Sequence, residues 1–260
     1  MVHSQETRAI LDMKWSSSQR GSLALTTSSG DLIVYSLEDS QLKSTKSVKI
    51  ENSPVLLSLD WNDRLSNSSE LKIVASDSQG QINLISAPDL KIEESRKIHD
   101  FEAWIAIFDA WNSKVIFSGG DDSKLFMTDL RTNSKIRVGI HDAGVTSLLS
   151  DIHEEFKLYS GSYDENLRIW DTRKTKNPLE TYQANGGIWR IRQSKFHKNL
   201  LALACMHNGF QILKNYQLLT SYDEHSSLAY GIDFKCVQDK VEMATCSFYD
   251  HLLKVWATEI

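Results

Sequence analysis

Hydrophobic and polar residues alternate in short runs along this chain. The runs at 10–15, 55–61, 104–111, 144–149, 188–196 and 230–234 alternate in this way, and most end near an aromatic residue. Period-two alternation over such lengths marks a half-buried β-strand. No stretch holds a 3.6-residue apolar stripe for the dozen or so residues a stable helix needs, so no long helix is predicted.

A second element follows each run, and it reads strand, tight turn, strand. Residues 158–170 (Leu-Tyr-Ser-Gly-Ser-Tyr-Asp-Glu-Asn-Leu-Arg-Ile-Trp) align with 116–128 (Ile-Phe-Ser-Gly-Gly-Asp-Asp-Ser-Lys-Leu-Phe-Met-Thr). The same frame fits 23–35, 73–85, 201–213 and 244–256. The frames end at Tyr35, Ile85, Thr128, Trp170, Leu213 and Trp256, in steps of 50, 43, 42, 43 and 43 residues. A polar stretch at 62–70 accounts for the long first step as a loop insertion. The period matches the roughly 40–45 residues of a WD40 blade. Residues after a frame, such as 137–140, can add a fourth strand. The predicted fold is all-β, a WD40-type β-propeller with six repeats visible, and residues 1–260 read as a single domain. Six lies within the four to eight or so blades that propellers use.

The fourth repeat carries a Trp-Asp dipeptide, Trp170-Asp171, with His141 upstream. His141, Ser160 or Ser162, Asp164 and Trp170 can link by side-chain hydrogen bonds. The third repeat offers His99, Ser118 and Asp122, and the last offers His225, Thr245, Asp250 and Trp256. Such His–Asp pairs are read as blade-holding networks rather than catalytic pairs.

Composition narrows the class. The 260 residues carry 29 basic and 34 acidic side chains, a net charge of −5, so a nucleic-acid partner has no electrostatic support. The longest basic cluster, Arg173-Lys174-Thr175-Lys176, reads as a solvated turn. No apolar run approaches the roughly 20 residues of a membrane span, and residues 1–8 lack a signal-peptide core. Cys205, Cys236 and Cys246 are an odd number in strand-like runs, as expected of buried free thiols in a reducing compartment. No metal-ligand spacing is present. These features predict a cytoplasmic protein without membrane or nucleic-acid partners.

Several segments depart from a generic WD40 pattern in one shared direction. They are Ala9-Ile-Leu-Asp-Met-Lys-Trp15, Phe101-Glu-Ala-Trp-Ile-Ala106, Ser118-Gly-Gly-Asp-Asp122, Ser160-Gly-Ser-Tyr-Asp-Glu165, Gly186-Gly-Ile-Trp-Arg190, Ala204-Cys-Met-His-Asn-Gly-Phe210, Ala229-Tyr-Gly-Ile-Asp233 and Ala244-Thr-Cys-Ser-Phe-Tyr-Asp-His251. Together they resemble the diphthine methyl esterase family, WD-repeat proteins also called diphthine methyltransferases, from about residue 8 to residue 257. The resemblance implies hydrolysis of the methyl ester of methylated diphthine on elongation factor 2, a step of diphthamide biosynthesis, by a monomer that needs no cofactor. It also implies a seven-bladed pattern of which this chain is a short form lacking the N-terminal blade. The alternative is a non-catalytic WD40 interaction scaffold, since fold does not fix function.

No G-x-S-x-G elbow is present, so the candidate site is argued from position. His207 occupies the frame position where other repeats have Asp122, Asp164 and Asp250; it is either a general base or a hydrogen-bonding stand-in for the aspartate. His251, after Asp250, is similar. Asp121 beside Asp122 can form a paired-carboxylate base, or be a surface turn acid. The turns and the approaches to the first strands nominate Glu102, Trp104, Tyr163, Trp189, Arg190, Tyr230 and Tyr249 for substrate binding. Trp104 and Trp189 are also read as core residues on inner strands. Gly186-Gly187 is either a source of oxyanion-binding amides or a loose lead into a strand. Cys205 and Cys246 rank low as nucleophiles because burial deactivates a thiol.

Overall fold

A computed structural model describes residues 6–51, 53–65, 70–237 and 240–259. Among the described residues all regular structure is β, and no helix is long and apolar enough to cross a membrane. The strands form six antiparallel sheets, one per sequence repeat. The first two are β1 (Ile10–Trp15), β2 (Ser22–Thr27), β3 (Asp31–Glu38), β4 (Gln41–Lys49), and β5 (Leu56–Trp61), β6 (Lys72–Asp77), β7 (Gln81–Ser86), β8 (Lys91–Lys97). The third and fourth are β9 (Ile105–Phe108), β10 (Val115–Gly119), β11 (Lys124–Asp129), β12 (Ser134–Ile140), and β13 (Val145–Ser150), β14 (Lys157–Ser162), β15 (Asn166–Asp171), β16 (Glu180–Gln183). The fifth is β17 (Arg190–Gln193), β18 (Leu200–Ala204), β19 (Phe210–Lys214), β20 (Gln217–Tyr222); the sixth is β21 (Ala229–Val237), β22 (Lys240–Ser247), β23 (Leu253–Glu259). Neighbours in sequence are neighbours in each sheet, and the sixth has three strands where the others have four. This is the WD40-type propeller architecture, with six blades.

The predicted frames fall on the second and third strands and the turn between them. Leu158 faces Trp170 and Ile116 faces Thr128 across their hairpins, so first and last frame residues are register partners. The predicted run at 104–111 is shortened to β9, and that at 188–196 to β17; Trp104 and Trp189 therefore precede the inner strands rather than lie on them. Within the predicted insertion, residues 66–69 lie outside the described residues. Asn62 closes its base, donating to the Glu70 carbonyl at 2.9 Å and accepting from the Lys72 amide at 2.8 Å.

The chain groups into two compact units, Met1–Arg137 and Val138–Ile260. In the first, one core packs Leu32, Leu56, Leu59, Trp61, Ile73 and Ile85, and another packs Val74, Ala106, Phe108 and Ile116. In the second, Tyr159, Ile188, Ile191, Leu201, Leu203 and Leu213 form one core, and Leu200, Phe210, Ile232 and Met243 another. Each core lies between successive sheets, because every sheet must cover two apolar faces. Main-chain amides of inner strands also reach back to polar side chains of the preceding sheet. Phe108 donates to Asp60 at 2.9 Å, Ala106 to Ser58 at 2.9 Å, and Ile191 to Ser147 at 3.1 Å. These bonds explain the polar residues at buried inner-strand positions.

Candidate functional site

The histidines that precede the third, fourth and sixth frames are consumed by structure. Trp170 Nε1 donates to Ser160 Oγ at 2.8 Å. An indole only donates, so the hydroxyl proton is left for His141 Nε2, 2.7 Å away, and His141 Nδ1–H donates to Asp164 at 2.8 Å. His99 repeats the pattern with Ser118 at 2.9 Å and Asp122 at 2.8 Å. Burial alone raises the Asp122 carboxyl, but the His99 hydrogen bond and charge, with the Asp100 and Lys124 amides, outweigh it and lower it to about 2. Asp164 is lowered by the same balance around His141. In the last repeat the predicted link from His225 to Asp250 is indirect. His225 Nδ1 meets Ser247 Oγ at 2.6 Å, and Ser247 in turn bonds Asp250; Nε2 meets Thr245 at 3.0 Å, to which Trp256 donates at 3.2 Å. Ser247 was not foreseen as the relay.

The fifth sheet breaks this pattern in two places at once. Ala184 stands one repeat after His141, and His207 one repeat after Asp164. The reading of His207 as a hydrogen-bonding stand-in does not hold. Asn208 Nδ2 and Gln211 Nε2 both donate to the Ala184 carbonyl, at 2.7 and 2.9 Å, and Asn208 N closes the turn on Cys205 O at 2.7 Å. His207 is left exposed at the tip of the β18–β19 turn. Gly186 and Gly187 are buried against this turn. A Cβ on Gly186 would overlap Cys205 O, and one on Gly187 would fall 2.7 Å from Met206 Sδ and 3.5 Å from the Tyr163 ring. These glycines serve close packing rather than looseness.

Four nominated aromatic residues come together in the second unit. Tyr163 lies in the β14–β15 turn, Trp189 just before β17, Tyr230 in β21 and Tyr249 in the β22–β23 turn. Ring centroids run Tyr163–Trp189 at 6.1 Å, Trp189–Tyr230 at 4.8 Å, Tyr230–Phe248 at 5.2 Å and Phe248–Tyr249 at 4.9 Å. Phe248 completes the run and was missed, because its frame position holds a small residue in the third and fourth repeats, Gly120 and Ser162. Main-chain bonds fix the spacing: Ile188 N to Ser162 O at 3.0 Å, Ala229 N to Met206 O at 2.9 Å, and Phe248 N to Leu228 O at 3.2 Å. Each ties a turn to the approach of a first strand. Tyr163, Phe248 and Tyr249 are 37%, 50% and 73% exposed, so this part of the run faces solvent.

The other candidates divide. Arg190 opens β17, half-buried beside Trp189. His251 is exposed and holds φ at 53°, the left-handed turn position that Gly30 and Gly80 fill in the first two sheets. Glu102, Trp104 and Asp121 belong to the first unit and form their own cluster. Trp104 Nε1 donates to Asp121 at 3.0 Å, and the Asp121 amide donates to the Glu102 carbonyl at 2.8 Å. Asp121 and Asp122 are not a carboxyl pair sharing one site, since each has its own donor, Trp104 for one and His99 for the other. Burial pushes the Cys205 thiol up to about 12. Among the described residues, no group of three or more His, Cys, Asp or Glu is placed to hold a metal ion.

Comparison with known proteins follows the same lines. The family model "WD domain, G-beta repeat" matches residues 134–171, which include His141, Asp164 and Trp170. Diphthine methyltransferase of Homo sapiens is 38% identical over 90% of this chain, which spans 57% of that protein's length. The Dictyostelium discoideum diphthine methyltransferase homolog is 36% identical over 95% of this chain and 76% of its own length. The Schizosaccharomyces pombe diphthine methyltransferase is 33% identical over 95% of this chain and 78% of its own. A chain in a crystal structure of the mitotic checkpoint complex superposes with a TM-score of 0.80 over 99% of this chain and 77% of its own, at 15% identity, which shows the shared fold alone.

Proposed function

This chain belongs to the diphthine methyltransferase family, and from that premise we propose that it acts in diphthamide biosynthesis as a methylesterase. The substrate is methylated diphthine on elongation factor 2, met in the cytoplasm by a monomer without a cofactor. The similarity that carries the reading runs over 95% of this chain to relatives named for the diphthine methyl group.

The chemistry is ester hydrolysis. His207 takes a proton from water as the water oxygen bonds to the ester carbonyl carbon. The carbonyl electron pair moves to oxygen, and main-chain amides of the Gly186–Gly187 segment, packed under the His207 turn, are the donors offered to it. The tetrahedral intermediate then expels the methoxy group, which receives the proton from His207 and leaves as methanol. What supports His207 is its place: it stands exposed on the turn packed against Gly186 and Gly187, whereas His99, His141 and His225 are held in hydrogen-bond networks. The aromatic run beside the turn binds the substrate.

The test is mass spectrometry of elongation factor 2 carrying methylated diphthine, incubated with the purified chain and no added cofactor. Loss of the ester methyl with release of methanol is expected. An unchanged substrate, with the chain folded, overturns the reading and leaves an interaction scaffold.

A further inference from the structure

We propose that Met206 is a positioning residue, whose left-handed backbone sets where His207 stands. The proposal rests on the methylesterase reading for the reaction, and on the β18–β19 turn for the geometry.

The turn itself is the first argument. In each of the first four sheets, the turn between the second and third strands closes with a main-chain bond from its fourth residue to its first. Gly30 N donates to Thr27 O at 3.2 Å, Gly80 N to Asp77 O at 3.1 Å, Ser123 N to Gly120 O at 3.1 Å and Glu165 N to Ser162 O at 3.2 Å. The fourth residue is the left-handed one, with φ of 79°, 77°, 63° and 66° in turn. The fifth sheet keeps the bond, from Asn208 N to Cys205 O at 2.7 Å, but its left-handed turn residue is the second, Met206, with φ at 39°. A positive φ at the first central residue of a hairpin turn, and not at the next, is the pattern that calls for glycine. A side chain there is held against its own preference, and such residues persist only where the surroundings over-determine them.

The anchoring is the second argument. The Met206 carbonyl accepts from Ala229 N, which opens β21, at 2.9 Å. In the second and fourth sheets the corresponding amide bonds the first turn residue instead: Ala103 N to Asp77 O at 3.0 Å, and Ile188 N to Ser162 O at 3.0 Å. In the fifth sheet the acceptor has moved forward by one residue. The half-buried Met206 side chain lies against Gly187, and on the other side of His207 the Asn208 amide is bonded to Ala184 O at 2.7 Å. Both neighbours of His207 are thus fastened, one to the sixth sheet and one to the approach of β17. A base must be held within hydrogen-bond reach of the water it deprotonates, and a misplacement of about 1 Å can cost about a hundredfold in rate.

The test varies residue 206 in the full chain. Glycine adopts the left-handed conformation freely, valine opposes it strongly through its branched Cβ, and alanine opposes it without bulk. NMR reads the hydrogen exchange of the Ala229 amide and the ring signals of His207, and methanol release reads the reaction. Met206→Val should speed exchange at Ala229, move the His207 signals, and lower kcat about tenfold or more with KM within about twofold. Met206→Ala should change all three in the same direction, and keeps the test valid if the valine variant fails to fold. Met206→Gly should leave the exchange and the His207 signals in place and recover turnover to within about threefold of the unsubstituted chain. Unchanged exchange and ring signals in the folded valine and alanine variants overturn the proposal. So does normal turnover in a variant whose His207 signals have moved. A glycine variant as slow as the valine one also overturns it, since the effect then belongs to the side chain. If the unsubstituted chain releases no methanol, yet valine and alanine move His207 and glycine does not, the esterase is removed and Met206 still sets the place of His207.

Discussion

Asn208 Nδ2 donates to the Ala184 carbonyl oxygen at 2.7 Å, in the one sheet of the second unit that has lost both its histidine and its turn aspartate. The two losses go together because each residue of such a pair satisfies the other. Removing one alone leaves a buried polar group without a partner, at a cost of about 1–3 kcal/mol. With an amide bonded to a main-chain carbonyl instead, the residue at the aspartate position is free to be a base.

That relationship separates two neighbouring substitutions. His207→Ala is expected to reduce methanol release at least a hundredfold while leaving the thermal midpoint unchanged. Asn208→Ala should cost about 1 kcal/mol of stability, the net worth of one hydrogen bond, seen in denaturant unfolding. A destabilised His207→Ala with normal turnover sinks the assignment.

The His141 network should respond as a unit. His141→Leu strands the Asp164 carboxylate and the Ser160 hydroxyl and is expected to cost about 3 kcal/mol. Asp164→Leu should cost a similar amount. The double variant should cost clearly less than the two together. Chemical denaturation of the four proteins checks this, and full additivity contradicts the shared network.

Stability should fall at acid pH in a defined window. Asp122, at about 2, and Asp164, also lowered, stay charged in the folded chain where the unfolded chain has already taken up a proton near its ordinary 3.8. Their contribution is therefore complete above about pH 4 and is lost as pH falls towards 2. His225 is lowered as well, so its contribution holds above its ordinary 6.5 and declines as pH drops below that. Thermal midpoints from pH 8 to 2 should fall in two stages. His225→Gln should remove the upper one.

The thiols should divide by accessibility. Cys205 is buried and raised to about 12, while Cys236 and Cys246 are partly exposed. A maleimide at pH 7.5, followed by intact-mass analysis, should label Cys236 and Cys246 in the folded chain and Cys205 only after denaturation. Rapid labelling of Cys205 contradicts its burial.

Much of this architecture could be read directly. The frames became hairpins because a turn Asp at a fixed offset between apolar strands specifies both register and turn. The His99 and His141 networks followed from residue type and offset. What escaped were relations set by the neighbouring loop rather than by the frame. Ser247 relays between His225 and Asp250 from the end of its own strand. Asn208 displaced His207 from its structural part because its amide reaches a carbonyl that the frame does not contain. Phe248 joined the rings from a position that a periodic reading assigns to small residues. Of the nominated site, Tyr163, Trp189, Tyr230 and Tyr249 were brought into one run. Glu102, Trp104 and Asp121 formed a separate cluster, since turn position alone says nothing of which side chains meet.

The bonds from Ile188 to Ser162 and from Ala229 to Met206 run between main-chain atoms. The places of the rings are thus encoded by the backbone, and only their identities by side chains. A mutation in the run changes what is held without changing where. Such a surface can exchange tyrosine for phenylalanine or leucine one residue at a time with the underlying lattice of turns intact. Relatives that share these turns and differ in their rings would be variations in taste on a single tongue.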